Sequence, residues 1–259
     1  MFRKSNRKPK ARRKGRVKIK KPAAVERPAT LNPVQTDTHT RTRILDAALE
    51  QFGARGFTAT SVRDLATAAG VNVAAINYYF GSKEALRVEA LRHGFSPTVQ
   101  IAARMRDIMA GAQQKGTIDA AEQALREYVH VFLRELVGPD SKHWAMFMRE
   151  RLAPGPAFEI VVREYFAPLG SALGGIISML LPGHPEESIG PCIQSVIAQC
   201  VHVRTSAPTV KIFSGKDPTT PEFLERTANH IAEFSVMALR GMRDTGPPRN
   251  ADTRRHRRG

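Results

Sequence analysis

Residues 61–80, SVRDLATAAGVNVAAINYYF, contain the sequence that decides the fold of this chain. Small and apolar residues recur at helical spacing on both sides of Gly70, where a turn is expected because glycine adopts positive φ at little cost. The residues expected to face inward are Leu65, Ala66, Ala69, Val71, Ile76 and Tyr79. The pattern predicts a helix-turn-helix, whose second helix can lie in a DNA major groove about 12 Å wide.

A longer pattern surrounds this stretch. It comprises Ile44-Leu45-Asp46-Ala47-Ala48, Phe52, Gly56-Phe57, residues 60–66, Ala69-Gly70-Val71, Tyr79-Phe80 and residues 82–86. On these residues, segment 41–91 resembles the N-terminal domain of TetR-family transcriptional regulators nearly throughout. The resemblance covers three helices and the start of a fourth. It implies an all-α chain, in which an N-terminal three-helix helix-turn-helix domain is joined to a helical ligand-binding and dimerisation domain.

The predicted recognition helix runs from Asn72, its cap, to Tyr79. Asn77 is the best candidate for reading a base, since a carboxamide can pair with N6 and N7 of adenine. The small residues suited to thymine methyl groups are Val73, Ala74 and Ala75. The helix contains no Arg or Lys for reading guanine, so we expect an operator biased to A·T. The alternative for each outward residue is ordinary helix surface.

Further contacts are expected with the DNA backbone. Ser61 and Asp64 fit a capping box, and the resemblance implies that this region, with Thr60, also touches a phosphate at the helix N-terminus. Capping alone would explain Thr60 equally well. Tyr78 and Lys83 match family positions that contact phosphates. The full set of predicted DNA contacts is Arg41, Thr60, Ser61, Asn72, Val73, Ala74, Ala75, Asn77, Tyr78 and Lys83.

Positive charge is concentrated at the two ends of the chain. Of the net charge of +16, residues 1–35 carry +12 and residues 243–259 carry +4, so the 207 residues between them are neutral. Both ends lack the apolar residues for a core and are expected to be disordered. Residues 1–35 can be a flexible arm that adds salt-sensitive phosphate contacts, an over-extended translation start, or a solvated tail without a selected role.

The pattern between these ends is helical, with no convincing strand. It predicts a DNA-binding domain at residues 38–97, with a first helix from about Thr40 to Ala54, and a second domain at residues 98–242.

The second domain is expected to begin with a helix over residues 98–109 and a polar link over residues 111–116. Asp119 and Glu122 fit a capping box that opens the next helix. Pro168 is expected to bend or break a later apolar segment.

Dimerisation is expected because one helix-turn-helix offers few contacts and such proteins usually bind palindromes as two-fold dimers. In TetR-like proteins the last two long helices of each subunit form an intersubunit four-helix bundle. The predicted interface residues are Ile193, Val196, Ile197, Cys200, Ile231, Ser235, Ala238 and Leu239. The alternative is that these apolar stripes are buried only within one subunit.

The second domain is similar to the CecR-like branch of the family in Met148-Arg149-Glu150, in the Pro-containing segment 165–173 and in residues 199–204. This similarity implies a small-molecule inducer, partly apolar, such as a xenobiotic or an antibiotic. The candidate pocket residues are Trp144, Met146, Phe147, Met148 and Arg151. Such a stripe is more often ordinary core. A ligand there would favour a dimer whose recognition helices are wrongly spaced for the operator.

Other classes of protein are less consistent with the sequence. It lacks a phosphate loop, a nucleophile elbow and metal-ligand spacing, so we expect no enzyme activity, cofactor or metal. Cys192 and Cys200 are interpreted as small buried hydrophobic residues, with an intersubunit disulfide or a redox sensor as the alternative. We expect a cytoplasmic protein with no membrane partner, since no apolar run approaches the roughly 18 residues of a spanning helix. The rival functions are a nonspecific nucleic-acid binder driven by the tails and an activator without a ligand.

Overall fold

The computed structural model describes residues 33–136 and 143–247, which form helices, with no strand among them. The predicted disordered ends therefore lie outside the described residues, apart from residues 33–35 and 243–247. The helices are α1 (Pro33–Arg55), α2 (Val62–Ala69), α3 (Val73–Phe80), α4 (Lys83–Phe95), α5 (Thr98–Lys115), α6 (Ile118–Val131), α7 (His143–Leu152), α8 (Pro156–Val161), α9 (Ala167–Leu180), α10 (Glu186–Thr205), α11 (Ala207–Ser214) and α12 (Pro221–Thr245). Two π-helical turns, Phe132–Leu136 and Val162–Phe166, follow α6 and α8.

The helix-turn-helix has the predicted inner face, with one correction. Leu65, Ala66, Ala69 and Ile76 are buried. Phe80 is the second buried residue of α3, whereas Tyr79 is only half-buried. The reason is that the Tyr79 hydroxyl donates a hydrogen bond to the Asp37 carboxylate at the start of α1, which holds the ring at the edge of the core.

Gly70 makes the turn of the motif, as predicted. Its φ of 62° lies in the left-handed region, and its N–H bonds to the last turn of α2. The Arg43 guanidinium of α1 donates to the carbonyl oxygens of Ala69 and Gly70, so a charged group closes the C-terminal end of α2. The angle between α2 and α3 is thereby fixed from α1.

Several predicted helix boundaries were wrong. The first helix begins at Pro33 rather than Thr40, because proline is compatible with the first turn of a helix and nothing after it breaks the helix. At the other end, α12 continues to Thr245. The polar segment 111–116 is not a link, since α5 continues through Gly111 to Lys115.

The predicted capping box of Asp119 and Glu122 was also wrong. Thr117 caps α6, and its hydroxyl accepts a hydrogen bond from the Ala120 N–H at 3.2 Å. Glu122 is buried and accepts a hydrogen bond from Nε of Arg240 on α12 at 2.6 Å. The Arg240 guanidinium lowers the pKa of this carboxyl, against the opposing effect of burial. Glu122 therefore joins two distant helices as a charge.

The apolar segment around Pro168 forms a single helical run. α8, the π-helical turn and α9 are continuous, and Pro168 lies in the first turn of α9, where the π-helical turn accommodates it. This run, Pro156–Leu180, contains an 18-residue window with a mean hydropathy of 1.3 and is long and apolar enough to cross a membrane by length and composition. The expectation that no such segment exists was therefore wrong. Leu169, Leu173 and Ile177 of this run are buried in the protein core.

Two hydrophobic cores divide the described residues. One contains apolar residues of α5, α6, α9, α10 and α12, and includes Cys200. Burial raises the pKa of the Cys200 thiol to about 12, as expected of a small buried residue, whereas Cys192 is only half-buried. The other core contains α1 to α4 and continues into Met146 and Phe147 of α7. The helix-turn-helix region is thus packed directly against part of the following helices.

Gly70 and Gly111 provide a matched pair for testing the turn. We expect Gly70→Ala to lower the free energy of unfolding by about 1–2 kcal/mol, because alanine is strained at positive φ. Gly111 lies inside α5, and a Cβ there would meet nothing within 4 Å. Gly111→Ala should instead raise the free energy of unfolding by about 0.5–1 kcal/mol. Urea denaturation measures both. An unchanged or higher free energy of unfolding in Gly70→Ala would contradict the role given to Gly70.

Candidate DNA-binding surface and ligand cavity

The outward face of α3 is exposed as predicted. Val73, Ala74, Asn77 and Tyr78 are exposed, and 80% of the Tyr78 surface is accessible. Ala75 is half-buried, between this face and the core. The face combines one carboxamide and one phenol with small apolar groups, without any cation.

Two caps hold the start of α2 and α3. The Asn72 side chain accepts a hydrogen bond from the Ala75 N–H at 2.7 Å, which confirms the predicted cap. The predicted capping box is also present, since Ser61 Oγ accepts from the Asp64 N–H at 3.1 Å and Asp64 accepts from the Ser61 N–H at 2.8 Å. The hydrogen bonds that the Ser61 backbone N–H and then the Ser61 hydroxyl donate to Asp64 lower the pKa of this carboxyl.

Thr60 is not placed as a phosphate contact would require. Its side chain is fully buried, and its hydroxyl donates to the Gly56 carbonyl oxygen at 2.8 Å. The structure thus assigns Thr60 to the corner between α1 and α2. The alternative of a cap by Thr60 was also wrong, because Ser61 caps α2.

The two predicted basic contacts have aromatic partners. Lys83 Nζ lies 4.2 Å from the centroid of the Phe57 ring, and the Arg41 guanidinium lies 5.4 Å from that of Phe80. Arg41 also pairs with Glu89 of α4 at 2.7 Å. Both cations are therefore held against the edge of the helix-turn-helix core.

A cavity of about 350 Å³ lies where α7 and α10 meet the ends of α4 and α6. Three of the five predicted pocket residues line it: Trp144, Phe147 and Arg151. Met146 and Met148 do not, because they face the opposite side of α7 and pack on the core of α1 to α4. The volume falls in the range of small-ligand sites.

Most of the cavity wall was missed by sequence reasoning. The additional residues are Phe95, Phe132, His143, Phe166, Gln194, Ile197, Ala198, Val201, His202 and Thr205. They come from α4, α7, α10 and the two π-helical turns. No spacing within one helix signals such a set, because the contacts join segments far apart in the sequence.

His143 is the buried polar group of this cavity. Its ring centroid lies 4.3 Å from that of Phe95, and its Nε2 has no hydrogen-bond partner among the described residues. Burial is the main reason that the pKa of His143 is lowered to about 4, and the positive charge of Arg204 is the second. The imidazole is therefore neutral at pH 7.

One face of α7 lines the cavity, and another contacts the helices of the DNA-binding domain. Arg149 donates from Nε to the Gly53 carbonyl oxygen at 2.6 Å and from Nη2 to that of Ala54 at 2.7 Å, at the end of α1. Glu150 is buried and accepts from Nε of Arg87 on α4 at 2.6 Å. One rigid helix thus contacts both regions.

Most of the predicted interface residues are buried within one chain. Ile193 and Ile197 are half-buried and Ala238 is exposed. Val196, Cys200, Ile231 and Leu239 are buried in the core of α5, α6, α9, α10 and α12, and Ser235 is also buried. These five residues therefore pack within one subunit, which is the alternative that the sequence left open.

Comparison with known proteins identifies the class. Residues 44–90 match the family described as bacterial regulatory proteins, tetR family, and residues 121–242 match the C-terminal domain of the HTH-type transcriptional dual regulator CecR. The chain is 31% identical over 157 residues to that regulator from Shigella flexneri, over 57% of this chain and 68% of the relative. The chain therefore belongs to the TetR family of DNA-binding transcriptional regulators, in the branch with a CecR-type C-terminal domain.

Two further comparisons agree. The HTH-type transcriptional repressor NicS of Pseudomonas putida is 38% identical over 95 residues, which cover 37% of this chain and 41% of the repressor. The crystal structure of a TetR-like transcriptional regulator from Rhodococcus sp. RHA1 matches with a TM-score of 0.54 and 18% identity, over 78% of this chain and 97% of that chain. The latter shows the shared fold. The matching relatives are transcriptional regulators rather than enzymes.

The buried imidazole gives a pH-dependent stability. His143 has a pKa of about 4 in the folded protein and about 6.5 when unfolded. As the pH falls through this window only the unfolded chain takes up the proton, so the stability present above pH 6.5 is progressively lost. Between pH 7 and pH 5, urea denaturation should show a fall in unfolding free energy about 1–2 kcal/mol larger for wild type than for His143→Phe.

The control for this measurement is His39→Asn, at an exposed position on α1. It should keep the wild-type dependence on pH. Equal losses in wild type and in His143→Phe would show that the imidazole is not excluded from protonation in the folded state.

Proposed function

We propose that the protein is a repressor that binds a palindromic operator as a homodimer through α3 and is released by a small molecule in the cavity. The proposal rests on how α3 is held, with its inner face anchored and its outer face exposed. Its inner residues Ile76 and Phe80 are anchored in the core, while Val73, Ala74 and Asn77 remain exposed. A rigid helix with a free outer face is what reading a major groove requires.

The chemistry of this face suggests what is read. Asn77 has a donor and an acceptor for adenine, while Val73 and Ala74 can contact thymine methyl groups. Because α3 has no guanidinium or ammonium group, strong reading of guanine is not expected from it. Tyr78, Ser61 and Lys83 are proposed to contact the sugar-phosphate backbone and to set the register.

A second face supports a dimer. Phe234, Met237 and Ala238 are exposed on one side of α12, where apolar side chains are unfavourable in water. A groove of about 510 Å³ separates this side of α12 from Pro191 and Ser195 of α10. We propose that the same face of a second subunit covers it. The interface is therefore proposed on these exposed residues rather than on the five buried ones.

Helix α7 supports release by a ligand. Trp144 and Phe147 reach the cavity, and two residues further on Arg149 holds the end of α1. A ligand that favours another position of α7 would shift α1 and α4, and with them the spacing of the two recognition helices. The matched relatives include one named as a repressor and one as a dual regulator, and we propose repression here.

Selection of binding sites from random duplex DNA tests the proposal. Both the full chain and a form lacking residues 1–32 are used, since α1 begins at Pro33 and remains intact. A palindromic motif recovered by both forms supports a dimeric operator-binding protein. Binding without a motif that disappears on truncation or added salt would indicate a nonspecific binder driven by the tail instead.

Asn77→Ala provides the residue-level prediction. Loss of the bidentate contact should cost about 1–3 kcal/mol of discrimination, which is about 5-fold to 150-fold, and relax the preference for A·T at one position of each half-site. Fluorescence anisotropy on the selected operator and on single-position variants measures this. Gln114→Ala, an exposed amide on α5, is the matched control. An unchanged preference in Asn77→Ala would rule out base reading by this residue.

A further inference from the structure

The walls of the cavity are mainly aromatic. Phe95, Trp144, Phe147 and Phe166 all line it. The rings of Phe147 and Phe166 are stacked, with centroids 4.8 Å apart, and Phe95 meets Phe147 edge to face at 5.5 Å. Flat, rigid walls of this kind favour a planar apolar molecule, since a ring can stack on them with little loss of conformational entropy.

Among the described residues that line the cavity, the permanently charged one is a cation. Arg151 lines it, and Arg204 lies close enough to act electrostatically on His143. Among the described residues that line the cavity none is Asp or Glu. An anion therefore meets a favourable potential there, whereas a cation would be repelled without any carboxylate to pair with.

Neutral polar groups complete the lining. Gln194 and Thr205 of α10 can each donate a hydrogen bond. The buried Nε2 of His143, which has no partner among the described residues, can do so in the tautomer that protonates this nitrogen. A buried polar nitrogen of this kind costs stability unless a ligand or water bonds it.

We infer that the effector is a planar aromatic anion, such as an aromatic monocarboxylate. Its ring lies between the aromatic walls, and its carboxylate accepts hydrogen bonds from Arg151 and from His143 Nε2. This assignment rests on the proposed function, because it specifies the class of ligand that the regulatory cavity takes. The aromatic walls alone would also suit a quaternary ammonium ion. The Arg151 guanidinium in the lining decides against that alternative.

Three ligands that share one ring system test the inference: 2-naphthoate, 2-naphthamide and 2-naphthylmethylammonium. Each is titrated into the full chain without DNA by isothermal calorimetry. Emission of Trp144, the single tryptophan of the chain, is followed in parallel and corrected for ligand absorption. We expect 2-naphthoate to bind about tenfold or more tightly than the other two, because a charge-assisted hydrogen bond is stronger than a neutral one. Its binding should change the Trp144 emission.

The Arg151→Gln variant tests whether the charge of the ligand, rather than its shape, determines its affinity. It should weaken binding of 2-naphthoate about tenfold and leave that of 2-naphthamide unchanged. The matched control is Arg163→Gln, since Arg163 is exposed and pairs with Glu159 away from the cavity. The inference is overturned if the amide or the ammonium ion binds as tightly as 2-naphthoate, if none of the three binds, or if Arg151→Gln affects the acid and the amide equally.

Operator release is measured separately, with whichever of the three ligands binds most tightly. If the amide or the amine binds best and releases the operator, the ligand class is wrong while the proposed function stands. If 2-naphthoate binds as expected and operator affinity does not change, the ligand class stands and regulation by release fails.

Discussion

The close packing of α7 against α1 is the contact on which the functional arrangement depends. A Cβ on Gly53 would lie 3.1 Å from that of Ala145 and 3.2 Å from the Met146 nitrogen, so only glycine allows the two helices to approach this closely without displacement. Arg149 then bonds the carbonyl oxygens of Gly53 and Ala54, which have no partner within α1 because the helix ends there. The contact fixes the distance between α7 and α1 and the rotation of α7 about its own axis.

This contact gives the chain one continuous route from cavity to DNA surface. α7 bears Trp144 and Phe147 toward the cavity, and α1 bears Arg43, which closes the turn between α2 and α3. The helices along this route are joined by charged hydrogen bonds, and these are geometrically more selective than apolar packing. A small displacement of α7 is therefore expected to change the orientation of α3 rather than to dissipate in the core.

Local features were largely predictable from the sequence. The Gly70 turn, the Ser61 and Asn72 caps and the exposed face of α3 all depend on residues within one turn of each other. Long-range pairings were not predictable. Glu122 was assigned to a cap because Asp119 lies three residues before it, yet it pairs with Arg240, 118 residues away. Most of the cavity lining was not predicted for the same reason, since Phe95, Phe132 and Phe166 are far apart in the sequence and come together only in the fold.

A double-mutant cycle on operator affinity tests most directly whether α7 links the cavity to DNA binding. Ala198→Phe places a ring in the cavity from α10, and Arg149→Gln removes the bonds to α1. We predict that Ala198→Phe weakens binding of the selected operator about fivefold or more in the wild-type background. In the Arg149→Gln background this loss should shrink, with a coupling energy of at least about 0.5 kcal/mol. Strictly additive effects of the two substitutions would contradict the account.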